Sequence, residues 1–357
     1  MLRLATGDPT ALDFDADAAA ARNIAASCAR AGADLWPFLS TADAVRDMDV
    51  LRSALGEERL SFYGTSYGTS LGTAYSSVFP DHTDRVVLDS VDDDTVGWQE
   101  RFRLSDAGTD ASFTAVATAI AADPRWGLGT ADDVRARYLD LRARAARGEL
   151  VLGGSPVEVR GLRLVLEDAL RGGGAYVDDL AALLAVDART PGAPREDDLA
   201  ARLGVGATPP DAAREARVDR AVAAGLGVQC ADPSWSRDPA DYRRAFEEDR
   251  AAHPVSSGAR ATIRPCAFWP TAPRDPLPTL TDAGHDGPPQ ALMLQNRADP
   301  ATPLEGARHV RDALGSRAVM ITTGDVGHGV LGRNRCATDA TVAWLVDGEL
   351  PAGDTTC

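Results

Sequence analysis

Gly64, Ser66 and Gly68 stand at alternate positions in FYGTSYGTSLG, with an apolar stretch, RLSFYG, leading in and a run of small residues leading out. A serine on a sharp strand-to-helix turn, with glycines two before and two after, projects its hydroxyl above a sheet as a nucleophile. Such a hydroxyl needs a base, and the base needs an orienting carboxylate. In this arrangement they follow in the order serine, acid, histidine, each on a loop after a strand. QALMLQ runs into NRADPATP, which puts Asp299 on a loop, and RAVMIT runs into TGDVGHG, which puts His328 on the next. The competing residues fit less well. His82 follows a helix in FPDHTD, His309 falls inside a helical pattern, and His253 and His285 lie in polar loops. Asp325 shares the loop of His328 and reads as a side chain that stabilises that loop.

The elements that must hold these residues alternate between helix and strand. Residues 40–56 predict an amphipathic helix with Val45, Met48, Leu51 and Leu55 on one face, Ser40 or Thr41 as cap and Gly56 as stop. RLSFYG predicts a short buried strand, residues 67–79 a helix, and DRVVLDSV (84–91) a second buried strand. From about residue 95 to about residue 253 Ala- and Arg-rich helical segments dominate without a strand rhythm, so a helical lid insertion is expected. Residues 264–289 are a proline-rich return path, after which strand, helix (304–314), strand and helix (336–346) follow. The fold class is therefore α/β, a mostly parallel sheet with flanking helices and a helical lid. The expected domains are a first part of the core with the nucleophile turn (1–94), the lid (95–263), and a second part of the core with the acid and histidine loops (264–357).

Composition narrows the function. The 357 residues carry a net charge of −16, with 44% hydrophobic residues. That charge argues against nucleic acid and against an anionic membrane surface, both of which need clustered positive charge. No run approaches the roughly 18 apolar residues of a membrane span. The first residues, MLRLATGDPTALDFDADAAAARN, lack the cationic and apolar regions of a signal peptide. All basic side chains are arginine, which reads as codon bias. Five cysteines, Cys28, Cys230, Cys266, Cys336 and Cys357, include no C-x-x-C pair, so disulfides are the better reading and buried free thiols the alternative. An odd number leaves one without a partner.

TADAVRDMDVLRSALGEERLSFYGTSYGTSLG, VFPDHTDRVVLDSV, RADPATPLEGARHVRDALGSRAVMITTGDVGHGV and CATDATVAWLVDGELPAGDTTC resemble one family. It is the α/β-hydrolase-fold tripeptidyl and prolyl-type aminopeptidases of actinobacteria, the TAP-like family. The likeness covers roughly residues 28–95 and 264–357, with the region between similar in position and in VQCADPSW. It implies Ser66 as nucleophile, Asp299 as orienting acid, His328 as general base, and the Tyr67 amide as one oxyanion donor. The implied activity is release of short peptides from free N-termini outside the cell, with a peptide as partner and no metal or organic cofactor. Cys336 is expected to pair with Cys357, and Cys230 with Cys266. An esterase or amidase of the same fold, or an impaired remnant of it, are the alternatives.

The departure lies upstream of the serine. The family carries its first sheet strands and a loop resembling His-Gly-Gly-Pro-Gly there, which supplies the second oxyanion donor. Here only Gly7 and Gly32 precede Gly56, and neither follows an apolar strand. The expectation is a chain that begins inside the family's domain, with an upstream segment of the same domain as a partner. Cys28 would then be the unpaired cysteine, and Leu60–Tyr63 an unprotected sheet edge.

Overall fold

The computed structural model of the protein describes residues 13–32, 34–206, 212–271 and 289–357. Helices α1 (Phe14–Gly32) and α2 (Thr41–Ala54) precede β1 (Leu60–Ser66), and α3 (Tyr67–Val78) joins it to β2 (Thr83–Val91). Seven helices follow: α4 (Trp98–Ala122), α5 (Ala131–Ala146), α6 (Val159–Gly172), α7 (Ala175–Asp187), α8 (Glu196–Arg202), α9 (Ala212–Ala231) and α10 (Pro239–Ala252). The chain then returns through β3 (Ala291–Ala298), α11 (Leu304–Leu314), β4 (Ala318–Val326), α12 (Arg335–Val342) and β5 (Thr355–Thr356). The strands lie in the order β1-β2-β3-β4-β5, and every neighbouring pair is parallel. Because all run the same way, their carboxyl ends, and the loops that leave them, gather along one edge.

Unbroken apolar runs in β2, β3 and β4 make sense in a sheet covered on both faces, since successive side chains point opposite ways. Val86, Leu88, Met293 and Met320 meet Ala307, Val310 and Leu314 of α11. Val87, Leu292, Leu294 and Ile321 meet Ala337 of α12 and Trp344 beyond it. Helix α3 lies close against β1 and β2 through Gly72, where an added Cβ would come within 2.8 Å of Leu88 and 2.9 Å of Phe62.

The helical stretch divides into two packing groups. Phe113, Tyr138, Leu141, Leu162, Leu166 and Leu180 centre one core, built by α4 to α8. Helices α9 and α10 instead join α1: Leu226 and Cys230 pack with Cys28 and Trp36, while Tyr242 and Phe246 pack with Phe14. The sequence reading did not draw α1 as a helix, nor a two-stranded hairpin, Val151–Leu152 with Ser155–Pro156, within the stretch where helical segments were expected to dominate. Gly153 and Gly154 form its turn at φ 57° and 73°, the left-handed region that such turns require. Among the described residues no helix is long and apolar enough to cross a membrane.

Helix α2 departs from the single apolar face expected of it. Ser40 caps it, accepting from the Asp43 amide at 3.1 Å, and Val45 is buried against Ala74 and Tyr75. Leu51 and Leu55, however, are 62% and 76% exposed. Among the described residues β1 is the outermost strand of the sheet, and nothing there packs over these two side chains. The outer edge of β1 pairs with no strand among the described residues.

Two disulfides join Cys230 to Cys266 and Cys336 to Cys357, and Cys28 is a buried free thiol. The second bond fastens β5 to the start of α12, and the Cys357 amide donates to the Thr322 carbonyl of β4 at 2.9 Å.

Two outcomes follow from this arrangement. Thiol titration of the denatured, unreduced protein should find one free thiol, and replacing Cys336 and Cys357 by serine should cost about 3 kcal/mol of stability in denaturant melts, the value for closing a loop of this size. A count of three or five thiols would contradict the pairing. Separately, Ser61 on β1 is exposed and its hydroxyl donates to Asp84 at 3.0 Å. Ser61→Lys would set a cation beside Asp84 on the open edge, so light scattering should show less self-association at an unchanged melting temperature. Equal scattering would acquit the β1 edge.

Candidate active site

Ser66 ends β1 and precedes the first residue of α3. Its backbone sits at φ 58°, ψ −128°, a strained conformation for a residue with a side chain. The turn is possible because of Gly64: a Cβ there would lie 2.3 Å from the carbonyl oxygen of Gly68. The two expected glycines therefore differ in role. Gly68 contributes the carbonyl that comes close, while a Cβ on Gly68 itself would meet nothing within 4 Å. Tyr67 opens α3, so its backbone N–H is one of the first-turn donors that the helix leaves unpaired, at the positive end of the helix dipole.

Asp299 lies on the loop after β3 and is 1% exposed. Its Oδ1 accepts from the amides of Ala301 and Thr302 at 2.8 and 2.9 Å, and its Oδ2 from the Thr302 hydroxyl at 3.1 Å. The remaining direction faces His328, whose Nδ1 is 3.1 and 3.0 Å from the two carboxylate oxygens. With Nδ1–H donating to Asp299, the basic nitrogen of the neutral ring is Nε2. The structure thus brings Asp299 and His328 into direct contact. Ser66 joins them through the sheet rather than by a bond: it stands opposite Val91, and Ser90, the residue before, accepts from the Gly329 amide at 2.7 Å. No hydrogen bond links Ser66 Oγ to His328 among the described residues. Such contacts are often long in an unliganded site and tighten with substrate.

The competing residues are engaged elsewhere. His82 bonds Asp49 at 2.7 Å, and His309 bonds Asp93 at 2.8 Å. Asp93 holds the His309 imidazole above its usual range by hydrogen bonding. Asp325 lies near the end of β4 rather than on the loop of His328, and its carboxylate accepts from Asn334, the cap of α12, at 2.9 Å. The main chain of His253 ends α10, and His285 lies outside the described residues.

Four buried polar side chains at strand ends hold the acid and histidine loops, and the sequence reading did not single them out. Asp89 accepts from the amides of Val330 and Leu331 at 2.8 and 3.0 Å and from the Tyr63 hydroxyl at 3.0 Å. Ser90 holds Gly329 from a backbone at φ 57°. Gln295 accepts from the Val91 amide at 2.9 Å and donates to the Thr302 carbonyl at 2.7 Å. Asn296 donates to the carbonyls of Gly327 and Gly329 at 2.9 and 3.0 Å and accepts from Thr323 at 2.6 Å. A signal was there: LDS and LQN put polar residues at the ends of runs otherwise wholly apolar. The lid also reaches the site. The Arg171 carbonyl, near the end of α6, accepts from the His328 amide at 3.1 Å and from Arg333 at 2.7 Å. On the other side, Arg101 of α4 meets Asp94 at 2.8 Å and Asp92 at 3.2 Å, beneath the elbow helix. Burial pushes the Asp94 carboxyl up, against the pull of the Arg101 charge.

Residues 22–138 match the family described as alpha/beta hydrolase fold, and residues 253–357 match that described as TAP-like protein. Tripeptidyl aminopeptidase of Streptomyces lividans is 32% identical over 349 residues, covering 94% of this chain and 62% of that protein. Serine protease Hip1 of Mycobacterium tuberculosis H37Rv is 24% identical over 341 residues, covering 91% and 63%. The chain spans about three-fifths of the length of these relatives. Among solved structures, MGS-M2, an alpha/beta hydrolase enzyme from a deep-sea metagenome library, is 11% identical over 88% of this chain and 74% of that one, with a TM-score of 0.34, a likeness too loose to argue from.

Asn296 tests how firmly the histidine loop is held. Asn296→Ala leaves the buried Gly327 carbonyl, the partly buried Gly329 carbonyl and the Thr323 hydroxyl without their partner, at about 1–3 kcal/mol for each buried group left unpaired. The urea midpoint should fall accordingly. A midpoint equal to that of the parent chain would mean that water replaces the amide and that the loop is held by other contacts.

Proposed function

Because the chain belongs to the α/β-hydrolase fold and is TAP-like over residues 253–357, we propose that it is a serine exopeptidase that removes short peptides from free N-termini through an acyl-enzyme. The observation that carries the reading is the bond between His328 Nδ1 and Asp299, at 3.0 Å, on the loops beside a serine held in a strained elbow.

In this reading Ser66 Oγ attacks the scissile carbonyl carbon while His328 Nε2 takes its proton. Asp299 holds the ring in the productive tautomer and stabilises the imidazolium that forms. Negative charge moves to the carbonyl oxygen, where the Tyr67 N–H and the first turn of α3 meet it. His328 then gives the proton to the leaving amine. Water then gives a proton to His328 Nε2 as its oxygen bonds the acyl carbon, and the bond to Ser66 Oγ breaks as His328 returns the proton to that oxygen. The α4–α8 unit lies over this edge of the sheet and restricts entry to chain termini. Two disulfides support a working place outside the reducing cytosol. The outer edge of β1, unpaired among the described residues, is where a further strand of the domain would pair.

A fluorophosphonate probe followed by peptide mapping should find its adduct on Ser66. Single substitutions Ser66→Ala and His328→Ala should each remove nearly all turnover of tripeptide anilides, and the double variant should lose little more, since such groups act as a unit. An adduct at another residue would overturn the assignment of the nucleophile. Faster turnover of aryl esters than of peptide anilides would redirect the substrate class to esters.

A further inference from the structure

Asp232 follows α9 directly and is 1% exposed. Its carboxylate takes three donors. Oδ1 accepts from the Thr41 amide at 2.8 Å, and Oδ2 accepts from the Thr41 hydroxyl at 2.6 Å and from the Trp98 indole N–H at 2.9 Å. Thr41 is the first residue of α2, so the carboxylate meets the positive end of that helix through its amide, while Trp98, the first residue of α4, reaches it with its indole.

Both partners hold Tyr67. The Tyr67 hydroxyl is 3.0 Å from Thr41 Oγ1, and the Tyr67 ring lies 5.7 Å from the Trp98 ring. The direction of the first bond follows from the proton count. Thr41 gives its single hydroxyl proton to Asp232, so it accepts from Tyr67. Burial, foremost, raises the Tyr67 phenol and keeps it a donor. A directed chain therefore runs from the Tyr67 hydroxyl through Thr41 to Asp232, and bonds in such a chain polarise one another.

We propose that Asp232 is a positioning residue for the oxyanion donor: through Thr41 and Trp98 it fixes the side chain of Tyr67, and so the direction of the Tyr67 amide beside Ser66. This rests on the reading of Ser66 as nucleophile. Tyr67 is held at its main chain by the elbow and at its far end by the clamp, which leaves the amide little freedom to tilt. A misplacement of about 1 Å at a reacting group costs on the order of 100-fold. The Cys230–Cys266 bond secures the clamp from behind, since Cys230 lies two residues before Asp232 and Arg264, two before Cys266, stands 3.5 Å over the Phe102 ring one turn from Trp98.

The test uses Asp232→Asn, which keeps the shape but turns an amide N–H toward groups that are themselves donors, with Thr41→Val and Tyr67→Phe as gentler breaks of the same chain. Tripeptide anilide turnover should fall about 10- to 100-fold in kcat with KM within about twofold. Affinity for a peptide aldehyde, whose adduct on serine carries the oxyanion, should fall by the same factor as kcat/KM. A peptide amide that binds without reacting should lose no affinity. Equal kcat and equal aldehyde affinity in Thr41→Val and Tyr67→Phe would overturn the proposal, even if Asp232→Asn fails to fold. So would a parallel loss of affinity for the aldehyde and the unreactive amide, the mark of general damage to the site. If the parent chain itself carries no fluorophosphonate adduct on Ser66, the nucleophile assignment fails instead, and that result separates the two failures.

Discussion

The close approach of the Gly68 carbonyl to Gly64 governs this molecule. At 2.3 Å from where a Cβ would be, it leaves room for hydrogen only. That contact lets the chain turn from strand to helix within one residue and forces Ser66 into a backbone region that side chains rarely adopt. A strained turn persists only where its surroundings over-determine it. Here β2 pairs along one side of β1, and α3 presses on the sheet through Gly72. The strain is held by the packing of an edge strand that has only one strand neighbour among the described residues.

The acid and histidine loops are held differently, by saturation of hydrogen bonds. Asp89, Ser90, Gln295 and Asn296 are all nearly inaccessible to water. A buried polar group is costly unless paired, so a fully paired one specifies a single arrangement of the main chain around it. The amides of Gly327 to Leu331 are each taken up, by Ala298, Arg171, Ser90 and the two oxygens of Asp89. His328 is therefore aimed by its backbone as well as by Asp299, with the ring only 13% exposed.

The helical lid is joined to the sheet at points that matter for the site. Arg171 reaches the histidine loop, Arg101 the hydroxyl of Ser70 in the elbow helix, and Trp98 the ring of Tyr67. A movement of the lid would thus be felt at His328 and at Tyr67 together, the first through a main-chain hydrogen bond and the second through ring packing. The α4–α8 unit has a hydrophobic core of its own, so it can act as a body while these few polar contacts transmit its position.

Much of this was legible in the order of residues. The elbow, the two loop residues and the strand–helix alternation depend on local rules: glycine where a Cβ would clash, apolar runs for covered strands, turns where strands end. Helix α11 matches its predicted span, and the two disulfides join the cysteines expected to pair. What the sequence could not determine depends on neighbours distant along the chain. Leu51 and Leu55 sit on the apolar side of α2 by period, yet are exposed, because burial needs a surface to pack on and β1 is the last strand among the described residues. Gln295 and Asn296 look like ordinary strand-end residues until the fold brings Val91, Thr302, Gly327 and Gly329 within reach. Asp232 is one acid among many in the sequence. Only the convergence of three helix ends gives its carboxylate three donors, since hydrogen bonds between residues nearly two hundred positions apart leave no periodicity to read.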